Sequence, residues 1–430
     1  MNRTRPACRM RPLWLIPLGT LIAACERGTQ SVSSPPGSAT PQAVAIRGSY
    51  EPLTTGTPQE LVRHLAELET RFRTTDEAGP RQARAAMRAC AQAQIETAEA
   101  LLAHPDITTE QAGVAAQALL GNLARRVEED PTAVDRLLES VDRIMKRFPK
   151  TPVATFAAQF RVNFLNAAPP EVIADDQVLA QKLFDAAIAL GEIDPPHPGT
   201  PGMIGALAPI AELFGYPEAA RRMYTIVAER FPEAPEARGA AGHAHRLGLV
   251  GQSPGPISGP SLDGTSHYSL EDLKGRVVLV DFWDTSCHAS PFEFPILKQV
   301  RAQLGSDRFE ILGVNLDARP LDAAQFIKKF GGDWPQISVA YEATDPSDPR
   351  IEFPARFGLD RIPIKLLIDP EGNVVATGVT LRELKPAFEK FFPGALPKEL
   401  DTRPDLRSML PKPDKQRHSQ EGSSHTGHSH

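Results

Sequence analysis

Paired cysteines are what this sequence lacks. Four cysteines, at 8, 25, 90 and 287, are scattered over 430 residues, and no two stand at Cys-x-x-Cys spacing. Basic runs are missing too: 47 basic against 53 acidic residues leave a net charge of -6. No basic stripe interleaved with aromatics marks a nucleic-acid surface, so nucleic acid is not an expected partner. The apolar run from Leu13 to Ile22 is too short to span a bilayer as a helix. Between about Thr57 and Gly251 no alternating strand pattern intrudes.

What is present at the N-terminus reads as targeting. Arg3, Arg5, Arg9 and Arg11 precede the apolar run, which ends in Ile22-Ala23-Ala24-Cys25. This resembles the leader and lipobox of bacterial lipoproteins. The resemblance implies lipidation of Cys25, cleavage before it, and a mature chain outside the cytoplasm, held to a membrane by its lipid. Glu26 after the cysteine points to the outer membrane in a Gram-negative source. The alternative at this point is an ordinary signal peptide ending near a cysteine. Cleavage discards Cys8 and lipidation consumes Cys25, so only Cys90 and Cys287 remain as free thiols, which excludes a disulfide framework.

The mature chain divides by composition. Residues 25–56 are rich in Ser, Thr, Pro and Gly and read as a flexible tether. Residues 57–250 carry apolar side chains at helical spacing, as in Leu61, Leu65, Leu68, Phe72 and Val134, Leu137, Val141, Ile144, Phe148. Two helices end alike in Arg147-Phe148-Pro149 and Arg230-Phe231-Pro232. Around the second, Ile204, Leu207, Ala208, Ala220, Tyr224 and Val227 resemble a tetratricopeptide repeat. The offset of 83 residues between the two ends is no multiple of the usual period of about 34. The expectation is an all-α, repeat-like stack of helical hairpins, either a protein-binding face or a domain whose stripes are only core.

Residues 251–262 read as a Pro/Gly hinge. From 263 to 395 strands and helices alternate: an apolar strand at Val277–Trp283, a helix from Phe294 to Leu304, a strand at Phe309–Leu316, and a helix from Leu321 to Phe330. A closing hairpin follows, Ile364–Asp369 and Val374–Ala376, then a helix over about Leu384–Phe392 with Pro386 in its first turn. This predicts an α/β sheet with helices on both faces. Residues 396–430 read as a disordered tail bearing His418, His425, His428 and His430, with no fixed ligand geometry; neither metal nor cofactor is expected.

Cys287 follows the first strand, in Trp283-Asp284-Thr285-Ser286-Cys287-His288-Ala289-Ser290, where a thiol at a helix start is expected. Glu293 and Pro295 stand six and eight residues after it, Asp281 six before, and Ile362-Pro363 precedes a later strand. These residues resemble the thioredoxin fold, closest to its TlpA/ResA-type branch, related to the AhpC/TSA group. The resemblance covers about a third of the chain. It implies a cis Pro363 shaping the groove beside the thiol, a buried proton-accepting carboxylate at Asp281, and a packing role for Trp283. Ser290 departs from the pattern by replacing the resolving cysteine. Ser286 replaces the usual Trp, and His288-Ala289 replace Gly-Pro.

A thiolate at the positive end of a helix, beside His288 when protonated, attacks disulfides. Without a second thiol the adduct is not resolved in place, although the Ser290 hydroxyl can donate to the thiolate. Asp281 is either a proton acceptor without a partner thiol or a carboxylate hydrogen-bonded near Ser290. Glu293 either orients the site through water or sits on an exposed first turn. Cys90 is a candidate resolver or a small core residue. The expected activity is monothiol disulfide exchange through Cys287 on exported proteins with exposed disulfides or thiols. The alternatives are a redox-inactive binding module and a one-cysteine peroxidase, the last opposed by Asp284 where peroxidases carry Thr.

Overall fold

The computed structural model describes residues 50–74, 80–339 and 352–401. The expected leader, Cys25, most of the tether and the histidine-bearing end of the tail lie outside the described residues. Among the described residues no helix is long and apolar enough to cross a membrane. The chain divides into two compact units, 1–168 with 185–200, and 169–184 with 201–430.

The first unit is helical: α1 (Pro58–Thr74), α2 (Pro80–Ala103), α3 (Thr109–Glu129), α4 (Ala133–Arg147) and α5 (Pro152–Asn166). Local chemistry sets their ends. Thr108 and Gln111 form a capping box at the start of α3, and Pro152 opens α5, where no N–H is needed. The core gathers Leu61, Leu101, Leu119, Leu123, Leu137, Val141 and Ile144, with Ala112, Ala115 and Ala116 allowing close helix approach. Cys90 is fully buried beside Leu68 and Ala93, and its thiol donates to Leu68 O (3.2 Å). Burial, then the charge of Glu69, pushes that thiol up to about 11. Cys90 is therefore a core residue.

The second unit holds α6 (Pro170–Asp175), the first half of α7 (Gln177–Gly191), α8 (Thr200–Leu213), α9 (Pro217–Arg230), α10 (Ala237–Leu247), and a sheet region. Its strands are β1 (Ser258–Pro260), β2 (His267–Ser269), β3 (Val277–Trp283), β4 (Phe309–Asn315), β5 (Gln336–Ser338), β6 (Ile364–Ile368) and β7 (Val374–Gly378). Its helices are α11 (Ser290–Leu304), α12 (Pro320–Phe330), α13 (Phe353–Phe357) and α14 (Leu381–Phe391). The main sheet has the order β5-β4-β3-β6-β7. β3, β4 and β5 run parallel, and β6 and β7 are antiparallel to their neighbours.

Alternation along the strands makes two cores. Val278, Val280, Phe282, Leu312, Val314, Ile364 and Leu366 pack with Ile257 and with Phe353 and Phe357 of α13. On the other face Val277, Leu279, Trp283, Phe309, Ile311 and Leu367 lie under Phe294 and Leu297 of α11 and Leu384 and Phe388 of α14. Each such side chain contributes about 1.5–3 kcal/mol by leaving water. Asp281 and Lys365 interrupt this second face.

Three local expectations are corrected. The segment expected as a hinge is fastened: Gly251 N donates to Val374 O (2.8 Å), Val374 N to Gln252 O (2.9 Å), Ile257 is fully buried, and β1 pairs with β2. α14 starts at Leu381, so Pro386 lies inside the helix and not in its first turn. α11 starts at Ser290, four residues before the expected Phe294, with Pro291 in its first turn.

Arg246 of α10 is fully buried. It pairs with Glu212 of α8 (2.7 Å) and donates to Thr377 Oγ1 of β7 (2.8 Å). Arg246→Met leaves the Glu212 carboxylate buried without its cation. The expected loss is about 3–5 kcal/mol, largely recovered in Arg246→Met with Glu212→Leu; urea unfolding of the two variants measures both.

Candidate active site

Cys287 sits where the β3 exit loop turns into α11. Asp317, just beyond β4, holds that loop by accepting Thr285 N (3.1 Å) and Thr285 Oγ1 (2.7 Å). Asp284 closes the next turn, its carboxylate accepting Ser286 N (2.8 Å) and its carbonyl accepting Cys287 N (3.2 Å). The helix N-cap is Ala289, so Cys287 precedes the helix by two residues more than a thiol at the helix start would. Ala289 O takes both Phe292 N (3.0 Å) and Glu293 N (3.1 Å), which fixes the first turn behind the thiol. Cys287 is 5% exposed, while His288 is exposed.

Ser290 is the first helical residue and is 1% exposed. Its Oγ makes no hydrogen bond, so the expected donation to the Cys287 sulfur is not made. Across the sheet end, the Ile362–Pro363 peptide is cis and Pro363 is buried. The last register pair of β3 and β6 is Phe282 with Ile364; one step further places Pro363 level with Trp283, at the end from which the Cys287 loop departs. Trp283 is fully buried, donates Nε1–H to Gln336 Oε1 (3.1 Å) and meets Phe294 edge-on, centroids 4.9 Å apart. Pro295 lies inside α11 on its exposed side.

Two residues back along β3 from Trp283, at Asp281, lies a buried charge cluster. Asp281 and Lys365 are register partners on β3 and β6, so their side chains rise on the same face. Lys365 Nζ is 3.0 Å from Asp281 Oδ1 and 2.8 Å from Glu293 Oε2. Lys365 is fully buried, Asp281 is 1% exposed and Glu293 8%. The other Glu293 oxygen accepts Leu381 N (2.9 Å), the first N–H of α14, whose N-cap Thr380 makes no side-chain cap bond. Two expectations are corrected. Asp281 is paired with a lysine and not with Ser290. Glu293 is not on an exposed turn, because it sits three residues after Ser290 on the buried side of α11.

Burial holds the Asp281 carboxyl above its ordinary value; Lys365 opposes that and Glu293 adds to it. Burial alone would lower the Lys365 ammonium, but the two carboxylates more than offset it and hold it high. Nearby, Glu383 accepts Val379 N (2.7 Å) and Thr380 Oγ1 (3.1 Å). Burial pushes its carboxyl up to about 7 against those bonds, with Glu212 adding to the rise and Lys365 opposing it. Among the described residues no group of His, Cys, Asp or Glu side chains has the geometry to hold a metal.

Parallel β3 and β4, antiparallel β6 and β7, and a cis-proline opposite a cysteine at the end of β3 decide the fold. Residues 275–374 match the thioredoxin-like family model. This region is a thioredoxin-like domain. Curated relatives of the domain include the thiol-disulfide oxidoreductase ResA of Bacillus subtilis, 30% identical over 25% of this chain and 54% of that protein. ResA of Geobacillus thermodenitrificans is 28% identical over 31% of this chain and 72% of that protein. The chain spans about half the length of most of the curated relatives it matches, from 52% to 72% of each. Similar solved structures include the thioredoxin domain of a thiol-disulfide oxidoreductase from Bacteroides vulgatus, at 30% identity, TM-score 0.29, covering 33% of this chain and 96% of that one. A thiol:disulfide interchange protein from a Bacteroides species is 31% identical, TM-score 0.29, covering 34% and 91%.

Within the thioredoxin-like domain, sequence reasoning missed Lys365. It is the one charged residue in the apolar strand Ile364-Lys365-Leu366-Leu367-Ile368, and that is the signal that could have found it. Its partner emerged only once β6 was aligned against β3. His243 and Asp360, bonded at 2.6 Å, were also missed, because 117 residues separate them.

Lys365→Met leaves two buried carboxylates facing each other. The expected loss at pH 7 is about 3–5 kcal/mol, and it shrinks as pH falls, because burial already raises the Asp281 carboxyl and the variant removes the cation that opposes the rise; guanidinium unfolding at pH 7 and pH 4 checks this. Glu383 gives a separate pH dependence. Its folded value lies above its unfolded one, so its contribution is full below about 4.5 and is lost as pH rises through about 7. Glu383→Gln removes that loss, so the variant gains stability relative to the parent between pH 5 and pH 8 in thermal melts, roughly the window set by those values.

Proposed function

We propose that this chain is an exported, lipid-anchored protein that performs monothiol disulfide exchange through Cys287. The observation that carries the reading is the joint placement of Cys287 before α11 and cis Pro363 just ahead of β6, the antiparallel neighbour of β3, with a hydroxyl where a dithiol enzyme keeps its second sulfur. The relatives named as thiol-disulfide oxidoreductases support the reaction class. The basic, apolar and Ile22-Ala23-Ala24-Cys25 segments support export and attachment at Cys25. The substrates are exported proteins with exposed disulfides.

In the reaction the Cys287 thiolate attacks one sulfur of a substrate disulfide. The new S–S bond joins Cys287 to that sulfur, and the other substrate sulfur leaves as thiolate and takes a proton. No net oxidation occurs. Ser290 has no sulfur to displace the adduct, so release needs an external thiol, which restores Cys287 and completes the exchange. Cys90 does not fit that role, since its thiol is buried and raised to about 11. Pro363 shapes the groove, and Trp283, Glu293 and Pro295 hold the elements that carry it.

The second reading, a redox-inactive binding module, draws on one observation: Cys287 is only 5% exposed. One experiment separates the two. The full chain with Cys8→Ser, Cys25→Ser and Cys90→Ala keeps Cys287 as its one thiol. Incubated with a peptide disulfide, it is expected to form one mixed disulfide, release one equivalent of peptide thiol and stop, as read by mass spectrometry. Adding Ser290→Cys is expected to resolve the adduct and release a second equivalent. Absence of any adduct, under conditions where the unfolded chain forms one, sinks exchange and leaves the binding module.

A further inference from the structure

The loop that leads to Pro363 is held from outside the sheet. Gly358 closes α13 in a left-handed conformation, φ 65°, and Leu359 N donates to Pro354 O (2.9 Å). The side-chain anchor is Asp360, whose Oδ1 lies 2.6 Å from His243 Nε2 of α10. His243 is 3% exposed. Arg246 Nη2 lies 3.3 Å from the other ring nitrogen, Nδ1. A guanidinium only donates, so Nδ1 accepts and Nε2 carries the hydrogen given to Asp360. The Tyr224 ring of α9 stacks on the imidazole, centroids 4.6 Å apart and planes 15° apart.

Backbone packing reinforces the contact. Gly242 meets the loop so closely that a Cβ there would stand 2.6 Å from Gly358 N. Arg246 is in turn held by Glu212 of α8 and Thr377 of β7. A continuous chain, Glu212–Arg246–His243–Asp360, therefore runs from α8 through α10 to the segment that ends in cis Pro363. His243 and Gly242 lie outside residues 275–374, the part that matches the family model.

We propose that His243 is a positioning residue: through Asp360 it fixes the 359–363 wall of the groove beside Cys287, so that α8–α10 complete the thiol site. The inference rests on the exchange reading. An imidazole donating from Nε2, clamped by Arg246 behind and Tyr224 on its face, sets one orientation for Asp360. The wall it holds meets a polypeptide lying beside Cys287, and a small alkylating reagent does not need it.

The test uses the full chain with Cys287 as its one thiol. His243→Ala is expected to slow mixed-disulfide formation with a peptide disulfide by about ten-fold, a modest share of what an ångström of misplacement costs. Its alkylation by iodoacetamide is expected to stay within about two-fold of the parent, since that reaction calls only on the thiol and not on an oriented polypeptide. Amide hydrogen exchange over 358–364 rises in the same variant. His243→Gln, which returns an N–H donor, restores most of the peptide rate. Asp360→Ala guards against misfolding, because that side chain is 52% exposed, and it is expected to match His243→Ala. Peptide exchange at the parent rate in folded His243→Ala and Asp360→Ala overturns the proposal. Equal slowing of both reagents with a lowered Tm and no rescue by Gln also overturns it, as a structural effect alone. A parent chain inert to every disulfide instead defeats the exchange reading itself and takes the proposal with it.

Discussion

A lysine ammonium buried between two carboxylates is the constraint on which the sheet domain is built. Lys365 rises from β6, Asp281 from the facing position on β3, and Glu293 comes down from α11. With its second oxygen Glu293 takes the first N–H of α14. Two strands and two helices thus meet at one point. The ion cluster supplies direction more than net stability, because desolvating three charges offsets most of their attraction. Apolar side chains at all three positions together would pack, but they would leave the rotation of α11 and the start of α14 unspecified.

That rotation matters because the Cys287 loop runs into the start of α11. Fixing Glu293 places Ser290, one turn earlier, on the buried side, and sets where the Cys287 loop joins the helix. Asp317 and Asp284 then hold the loop from β4 and from within. The result is a thiol at the end of β3 whose neighbour at the second sulfur position is a buried hydroxyl without a partner. Chemistry that needs two sulfurs is closed to this site, and the proposed reading assigns it a single exchange step.

Helices α8 and α10 of the second unit belong to the same arrangement. Arg246, with no exposed surface, ties α8 and α10 to β7, and His243 reaches the loop before Pro363. The Pro- and Gly-rich stretch that follows them carries a composition typical of linkers, yet its backbone groups pair with β7 and β2. Composition describes how easily a segment bends when free, and it is silent about which edge strand lies within reach.

Periodicity made the helical and sheet regions legible, since burial on one face imposes spacings of 3.6 and 2 regardless of what lies opposite. The apolar runs at Val277–Trp283 and Phe309–Asn315 could be read as strands, and the Ile362-Pro363 pair through its resemblance to the thioredoxin pattern. So could the lone Cys287, with Ser290 at the second position, because these are matters of residue identity and local spacing. The short β5, the partner of Asp281, the burial of Glu293 and the reach of His243 could not. Each depends on a contact between distant segments, and a charge in an apolar strand gains its meaning only from the charge that register sets against it. By itself the sequence determined which chemistry the site can carry, because a side chain that is absent cannot be supplied by folding. The tertiary structure alone decided which groups surround that chemistry, because register and helix packing, and not order along the chain, bring Lys365, Glu293 and His243 to it.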